Sequence, residues 1–398
     1  MPETWLGLPE DTGFGLGNLP YGVFSGPGGD GRRIGVAIGD QVLDLTAAAD
    51  GTDFAGLLRA GVLNSFMAAG RPVWREVRET ITGWLIDEAH RERVSAHLVP
   101  LAEVELHLPF EVADYVDFYS SEQHALNANR IFRPQSRDEV PRNWRSLPVG
   151  YHGRAGTVVV SGTPVRRPHG LRRDGDEIAF GPSARLDFEA EVGFVVGTPS
   201  EPGEPVAVAD YAEHVFGVCL VNDWSARDIQ SWESAPLGPF LGKSFLTSVS
   251  PWVVPLDALA HASVAPPRQE PEPVAYLREP GAGLDLALEV RLNGHLLSSP
   301  PFATQYWTAA QQLAHLTVNG ASLRTGDLYA SGTVSGPERG QWGSLLELSW
   351  NGTEPVELAG GTRTFLEDGD EVTITATAPG PDGTRLGFGG VTGRVGLS

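Results

Sequence analysis

The chain has one cysteine in 398 residues, which excludes an internal disulfide and leads us to expect a reducing, cytoplasmic setting. Cys219 lies in the apolar run Val-Phe-Gly-Val-Cys-Leu-Val, residues 215–221, and reads as a small buried hydrophobe. Positive charge is also short: 29 Lys and Arg face 50 Asp and Glu, for a formal net charge of -21. That field repels a phosphate backbone and an anionic bilayer, so neither nucleic acid nor membrane is an expected partner. No apolar run reaches the length of a membrane span, and residues 1–10 lack the basic start and apolar core of a signal peptide. Also missing are a Gly-x-Ser-x-Gly elbow, a His-Glu-x-x-His pair, a Walker loop and a cysteine pair for zinc. Serine-nucleophile, zinc-protease and phosphate-loop chemistries are thereby set aside.

Turn formers are what the chain has in excess, with 49 Gly and 31 Pro. Together they well exceed the average share of about 12%, which favours strands joined by loops. At 42.5 kDa the chain suits two domains, and we expect the division at 112/113. Residues 33–39 and 41–45 read as a β-hairpin turning at Gly39-Asp40. Residues 71–98 carry Val73, Trp74, Val77, Ile81, Trp84 and Leu85 at helical spacing, with Thr82-Gly83 as a candidate break. Beyond residue 109, β-branched runs such as 156–162 and 371–377 dominate, and 304–318 is the clearest helix.

Three polar clusters interrupt this pattern. Residues 114–124 read Asp-Tyr-Val-Asp-Phe-Tyr-Ser-Ser-Glu-Gln-His, placing carboxylates for a hard cation beside an imidazole suited to base chemistry. In Leu-Asp-Phe-Glu-Ala-Glu-Val-Gly-Phe-Val-Val, residues 186–196, Glu189 and Glu191 project from one strand face and repel unless a cation intervenes; a solvated edge strand is the alternative. The third, residues 221–233, opens with Asp223 at a strand end and continues as a short helix on which Arg227 and Gln230 share a face. A capped helix with Arg227 in an ordinary ion pair also fits. Lys243 follows, among glycines and aromatics that leave it partly desolvated.

The order Asp-x-x-Asp-Phe-Tyr-Ser-Ser-x-Gln-His, Leu-Pro-Val-Gly-Tyr-His-Gly-Arg, Glu-x-Glu and Asn-Asp-Trp-Ser-Ala-Arg-Asp-Ile-Gln closely resembles the fumarylacetoacetase family. The likeness continues through residues 236–245, 330–333 and 346–350, and includes the N-terminal segments 18–25 and 34–39. It implies a mainly β (α+β) fold: a small N-terminal SH3-like β-barrel with a helical segment over 1–112, then a large C-terminal mixed-β roll over 113–398. Composition by itself supports only the β-rich part.

The resemblance further implies a homodimer that hydrolyses a β-diketo acid, 4-fumarylacetoacetate, to fumarate and acetoacetate, the last step of tyrosine and phenylalanine breakdown. Its metal carboxylates fall on Asp117, Glu189, Glu191 and Asp223, with Lys243 and Thr247 at positions tied to a magnesium site. Oxygen donors without thiolate suit Ca²⁺ or Mg²⁺, with Mn²⁺ as a third candidate. His124 falls on the catalytic imidazole and Glu347 on the carboxylate that orients it, with Arg227, Gln230 and Lys243 beside the reacting oxygens. Substrate contacts fall on Tyr119, Arg133, Tyr151, Gln230, Lys243 and Thr333; Ser234 departs from the tyrosine usual in the animal enzymes. Two other readings compete: a related metal-dependent acylpyruvate hydrolase, decarboxylase or isomerase of 2-oxo acids, and a non-catalytic calcium-binding β-protein.

Overall fold

Two adjacent strands, Ala190–Val196 and Val215–Asp223, set the architecture because every residue in both is buried. Side chains alternate across a strand, so burial of both faces demands a packed layer on each side. Val192, Phe194, Val218 and Leu220 face one core, whereas Val195, Cys219 and Val221 face another. The computed structural model describes residues 4–9, 12–26, 28–29, 31–136 and 139–396.

The two strands lie in the middle of a 13-stranded sheet and pair antiparallel, with Glu191 opposite Val221. Over the first face lies a five-stranded sheet in which Ala287–Leu292, Glu371–Pro379 and Arg385–Gly396 are neighbours. The Glu371–Pro379 strand shows a clean period of two: Val372, Ile374, Ala376 and Ala378 enter the shared core while the intervening threonines are half-buried. The architecture is thus mixed α/β with sheet predominating.

N-terminal elements cover the second face. The expected hairpin forms between Arg33–Ile38 and Gln41–Asp44, with Gly39 at φ +60° in its turn. Its neighbour Tyr21–Ser25 also pairs with Trp252–Pro255, placing Tyr21 opposite Val253, so the first strands extend the large sheet. No pairing closes these strands into a barrel among the described residues.

Helix Arg71–Ile86 buries Trp74, Val77, Ile81, Trp84 and Leu85, the expected stripe. The expected break at Thr82-Gly83 does not occur. Thr82 Oγ1 donates to Arg78 O, and Asp87 N to Gly83 O, so the ladder continues until Asp87 turns out to cap the next short turn. The helix expected over 304–318 is shorter, Ala309–Thr317. Thr308 accepts from Gln311 N while the Gln311 side chain accepts from Thr308 N, a capping box that fixes the start beyond Trp307. No helix among the described residues is long and apolar enough to cross a membrane.

Candidate metal centre and active site

Strand register brings the acids together. Asp117 lies on Tyr115–Phe118, opposite Ala330 on one side and Tyr151 on the other. Glu191 is on Ala190–Val196, Glu189 immediately precedes that strand, and Asp223 ends the neighbouring one with its N–H donating to Glu189 O. Ligand atoms of Asp117, Glu189, Glu191 and Asp223 all lie within 4.8 Å of one another, and all four residues are buried. A solvated edge strand is therefore excluded for Glu189 and Glu191.

Burial and mutual repulsion push the carboxyls of Asp117 and Glu191 well above the usual range, and that of Asp223 is also raised. Glu189 behaves differently. Burial opposes its charge, but Lys243 and Arg227 outweigh that and hold its carboxyl low. Lys243 Nζ donates to Glu189 Oε2 and Asp223 Oδ2, each at 2.6 Å, while Thr247 Oγ1 donates to Asp223 Oδ1 at 3.2 Å.

These residues fit a hard cation. Both oxygens of Glu191 and Oδ1 of Asp117 are buried without a hydrogen-bond partner, a costly state for a carboxylate unless an ion or proton joins it. Lys243 offsets one of four charges and Arg227 is shared with Asp187, so at least two negative charges remain, enough for one divalent ion. An ammonium has no lone pair to coordinate a cation, so Lys243 is not a ligand and instead orients and neutralises the carboxylates. It is the sole lysine in the sequence.

Beside the cluster, Ser121 caps helix Glu122–Phe132 by accepting from His124 N, which fixes the imidazole one turn in. His124 Nδ1 lies 2.8 Å from Glu347 Oε2, and the same carboxylate accepts from Asn127 Nδ2, Ser335 Oγ and Ser344 Oγ, each at 2.9 Å. Burial opposes the Glu347 charge, yet His124 and these hydrogen bonds bring its carboxyl below the usual range. A charged Glu347 makes Nδ1 the protonated nitrogen and leaves Nε2 with a lone pair. Tyr119 packs edge-on to the ring at 5.3 Å.

Arg227 opens helix Arg227–Glu233 and is held on three sides: Nε by Asp187 at 2.8 Å, Nη1 by Glu189 at 2.7 Å and by Gln230 Oε1 at 3.3 Å. Its Nη2 has no partner and is buried. A cavity of about 670 Å³ gathers Asp117, Tyr119, His124, Arg133, Tyr151, Glu189, Arg227, Gln230, Lys243 and Thr333. Glu191, Asp223, Thr247 and Glu347 lie outside its lining. Arg133 is exposed, Tyr151 OH donates to Asp223 Oδ2 at 3.2 Å, and Thr333 Oγ1 is buried and unpartnered. Ser234 also lines the cavity, but its hydroxyl donates to Gln230 O and so turns away from any ligand.

Sequence reasoning passed over Asp187, Asn127, Ser335 and Ser344. Asp187 had a signal, since 187, 189 and 191 alternate as acids along one strand direction. The two serines and Asn127 had none, because their importance comes only from meeting Glu347.

A buried carboxylate cradle beside a His–Glu pair, carried on a sheet of this kind, defines a class of cation-assisted enzymes. Residues 17–109 match the family described as fumarylacetoacetase N-terminal, and residues 115–395 match the fumarylacetoacetate (FAA) hydrolase C-terminal family. The chain belongs to the fumarylacetoacetate hydrolase family. It is 48% identical to the fumarylacetoacetase of Homo sapiens, over 98% of each chain, and 46% identical to that of Caenorhabditis elegans, over 99% of each. Among solved structures, a fumarylacetoacetate hydrolase from Exiguobacterium antarcticum matches with a TM-score of 0.57 and 18% identity, covering 96% of this chain and 100% of its own.

Proposed function

We propose that the chain hydrolyses the carbon–carbon bond of 4-fumarylacetoacetate, releasing fumarate and acetoacetate. One observation carries this reading: a four-carboxylate cluster, through Asp117 and Glu189, and a His124–Glu347 pair, through its imidazole, both border one cavity large enough for a small diketo acid. Full-length identity near one half to fumarylacetoacetases from animals and plants supports the substrate.

In this reading Asp117, Glu189, Glu191 and Asp223 hold Ca²⁺ or Mg²⁺, with Mn²⁺ also acceptable to an all-oxygen site. When bound, the ion supplies Lewis-acid charge to the diketone oxygens. Thr247 and Lys243 fix the rotamer of Asp223 from behind. His124 Nε2 takes a proton from water, and the resulting hydroxide adds to the carbonyl carbon of the fumaryl group, which becomes the second carboxyl of fumarate. Arg227, Gln230 and Lys243 stabilise the oxyanion so formed. As the carbon–carbon bond breaks, its electron pair stays with acetoacetate as the enolate, and the proton on His124 returns to that carbon. Glu347 balances the imidazolium in between. Tyr119, Tyr151 and Thr333 hold the substrate within the cavity, and exposed Arg133 suits a terminal carboxylate at its mouth.

The gap between the two family matches supports a division at 112/113, and the antiparallel run of the first five strands suits an SH3-like arrangement that does not close among the described residues. A homodimer in a cytoplasmic setting completes the proposal. The single thiol, buried and pushed up to about 12, accords with a reducing compartment. Purified protein with Ca²⁺ or Mg²⁺ should release fumarate from fumarylacetoacetate and leave oxaloacetate intact. Oxaloacetate decarboxylation without fumarate release would sink the reading.

A further inference from the structure

Asp187 is fully buried, and each of its oxygens accepts two hydrogen bonds. Oδ1 accepts from Phe188 N at 2.7 Å and Leu345 N at 2.8 Å. Oδ2 accepts from Arg227 Nε at 2.8 Å and Leu346 N at 2.9 Å. Leu345 and Leu346 begin the short helix Leu345–Leu348, whose third residue is Glu347. One carboxylate therefore ties the guanidinium on one wall of the cavity to the turn that carries the partner of His124 on another. The strand segment Leu186–Asp187, paired to Ser225–Ala226 just before Arg227, anchors it from both directions.

We infer that Asp187 is a positioning residue for the reaction proposed above, acting through Arg227 and Glu347 without touching substrate. With Nε fixed by Asp187 and Nη1 by Glu189, the guanidinium plane has one orientation, and Nη2 is its one nitrogen without a partner. The same carboxylate holds the backbone from which Glu347 aims at His124. A neutral amide cannot replace it. Whichever way the isosteric amide of Asp187→Asn turned, its NH₂ would face two N–H donors, Arg227 Nε and Leu346 N or Phe188 N and Leu345 N.

The test is a set of kinetic and exchange measurements on Asp187→Asn, Asp187→Glu, Arg227→Gln and the D187N/R227Q pair. D187N is expected to lower kcat about 30- to 100-fold with KM within about three-fold, as fits a group acting in the transition state. In the R227Q background the same change should cost distinctly less, because the guanidinium it orients is gone and only its hold on the turn of Glu347 remains. Asp187→Glu, which restores the charge, should recover at least part of the loss and stands in if D187N does not fold. Equal losses in both backgrounds, or D187N at parental kcat together with parental exchange, overturn the inference. Amide exchange at Leu345 and Leu346 reads the tether without turnover and should speed up in D187N; unchanged exchange overturns it too. A parent that releases no fumarate contradicts the function reading instead, and the exchange result still stands by itself.

Discussion

Replacing Glu347 by glutamine removes one buried charge and almost no volume, so it isolates what the carboxylate does for His124. The imidazolium formed during turnover lies against that charge. For unit charges about 4 Å apart at an effective dielectric constant near 20, the attraction is about 4 kcal/mol, and tenfold in rate corresponds to about 1.4 kcal/mol. The ceiling is therefore roughly three decades. Glutamine keeps an acceptor at the Oε2 position, so Nδ1–H and the tautomer are retained while the charge facing the ring is lost. At Oε1 its NH₂ would meet Asn127 Nδ2, and that amide would have to flip away from Arg130 Nη1, from which Asn127 Oδ1 now accepts at 3.2 Å. We expect E347Q to lower kcat by about 10² to 10³, with KM little changed, followed by fumarate release from fumarylacetoacetate. His124→Ala should lose about 10² to 10⁴, and the double variant no more than His124→Ala does. If E347Q cost the same factor with and without His124, the two would not act as a unit and the assignment of the base would fail.

Other outcomes follow from the same geometry. Asp117 and Glu191 have carboxyls raised by burial and by each other, so their contribution to stability is full below the unfolded carboxylate range and lost as pH rises through the raised values. Chelated protein should thus unfold at falling temperature as pH rises above the ordinary carboxylate range, while Ca²⁺ or Mg²⁺ flattens the profile; a flat profile for the chelated protein in calorimetry would contradict this. Glu191→Gln should abolish cation-dependent stabilisation yet make the ion-free protein more stable than its parent near neutral pH. Burial alone would lower the Lys243 pKa, but Asp223 and Glu189 raise it. Protein labelled with ¹⁵N-lysine should give one ammonium resonance that stays protonated above the usual lysine value of about 10.4, and titration at or below that value would refute the pairing. Gly332 has φ +75°, and a Cβ there would sit 2.1 Å from Phe118 O, next to Thr333. Gly332→Ala should cost on the order of 2 kcal/mol or more of stability, read by denaturant melts, and weaken substrate binding.

The β-rich character, the hairpin turning at Gly39 and the stripe on Arg71–Ile86 were legible in the sequence, whereas the grouping of Asp117, Glu189, Glu191, Asp223, His124 and Lys243 came only from the family resemblance. Residue type and spacing are local properties, and acids two apart on a strand share a face whatever surrounds them. Helix limits at 87 and 309 were less legible, because backbone hydrogen bonds and a capping box decided them. Only the tertiary structure decided which acid carries which charge. Glu189 is held low because Lys243 and Arg227 reach it from elements that come after it in the chain, whereas Glu191, on the same strand face, has no such partner and is raised. Nor could the chain order disclose that Asn127, Ser335 and Ser344 converge on Glu347, or that Asp187 joins Arg227 to its turn. Desolvation and pairing depend on what lies within a few ångströms in space, and in this chain those neighbours are up to 223 residues apart.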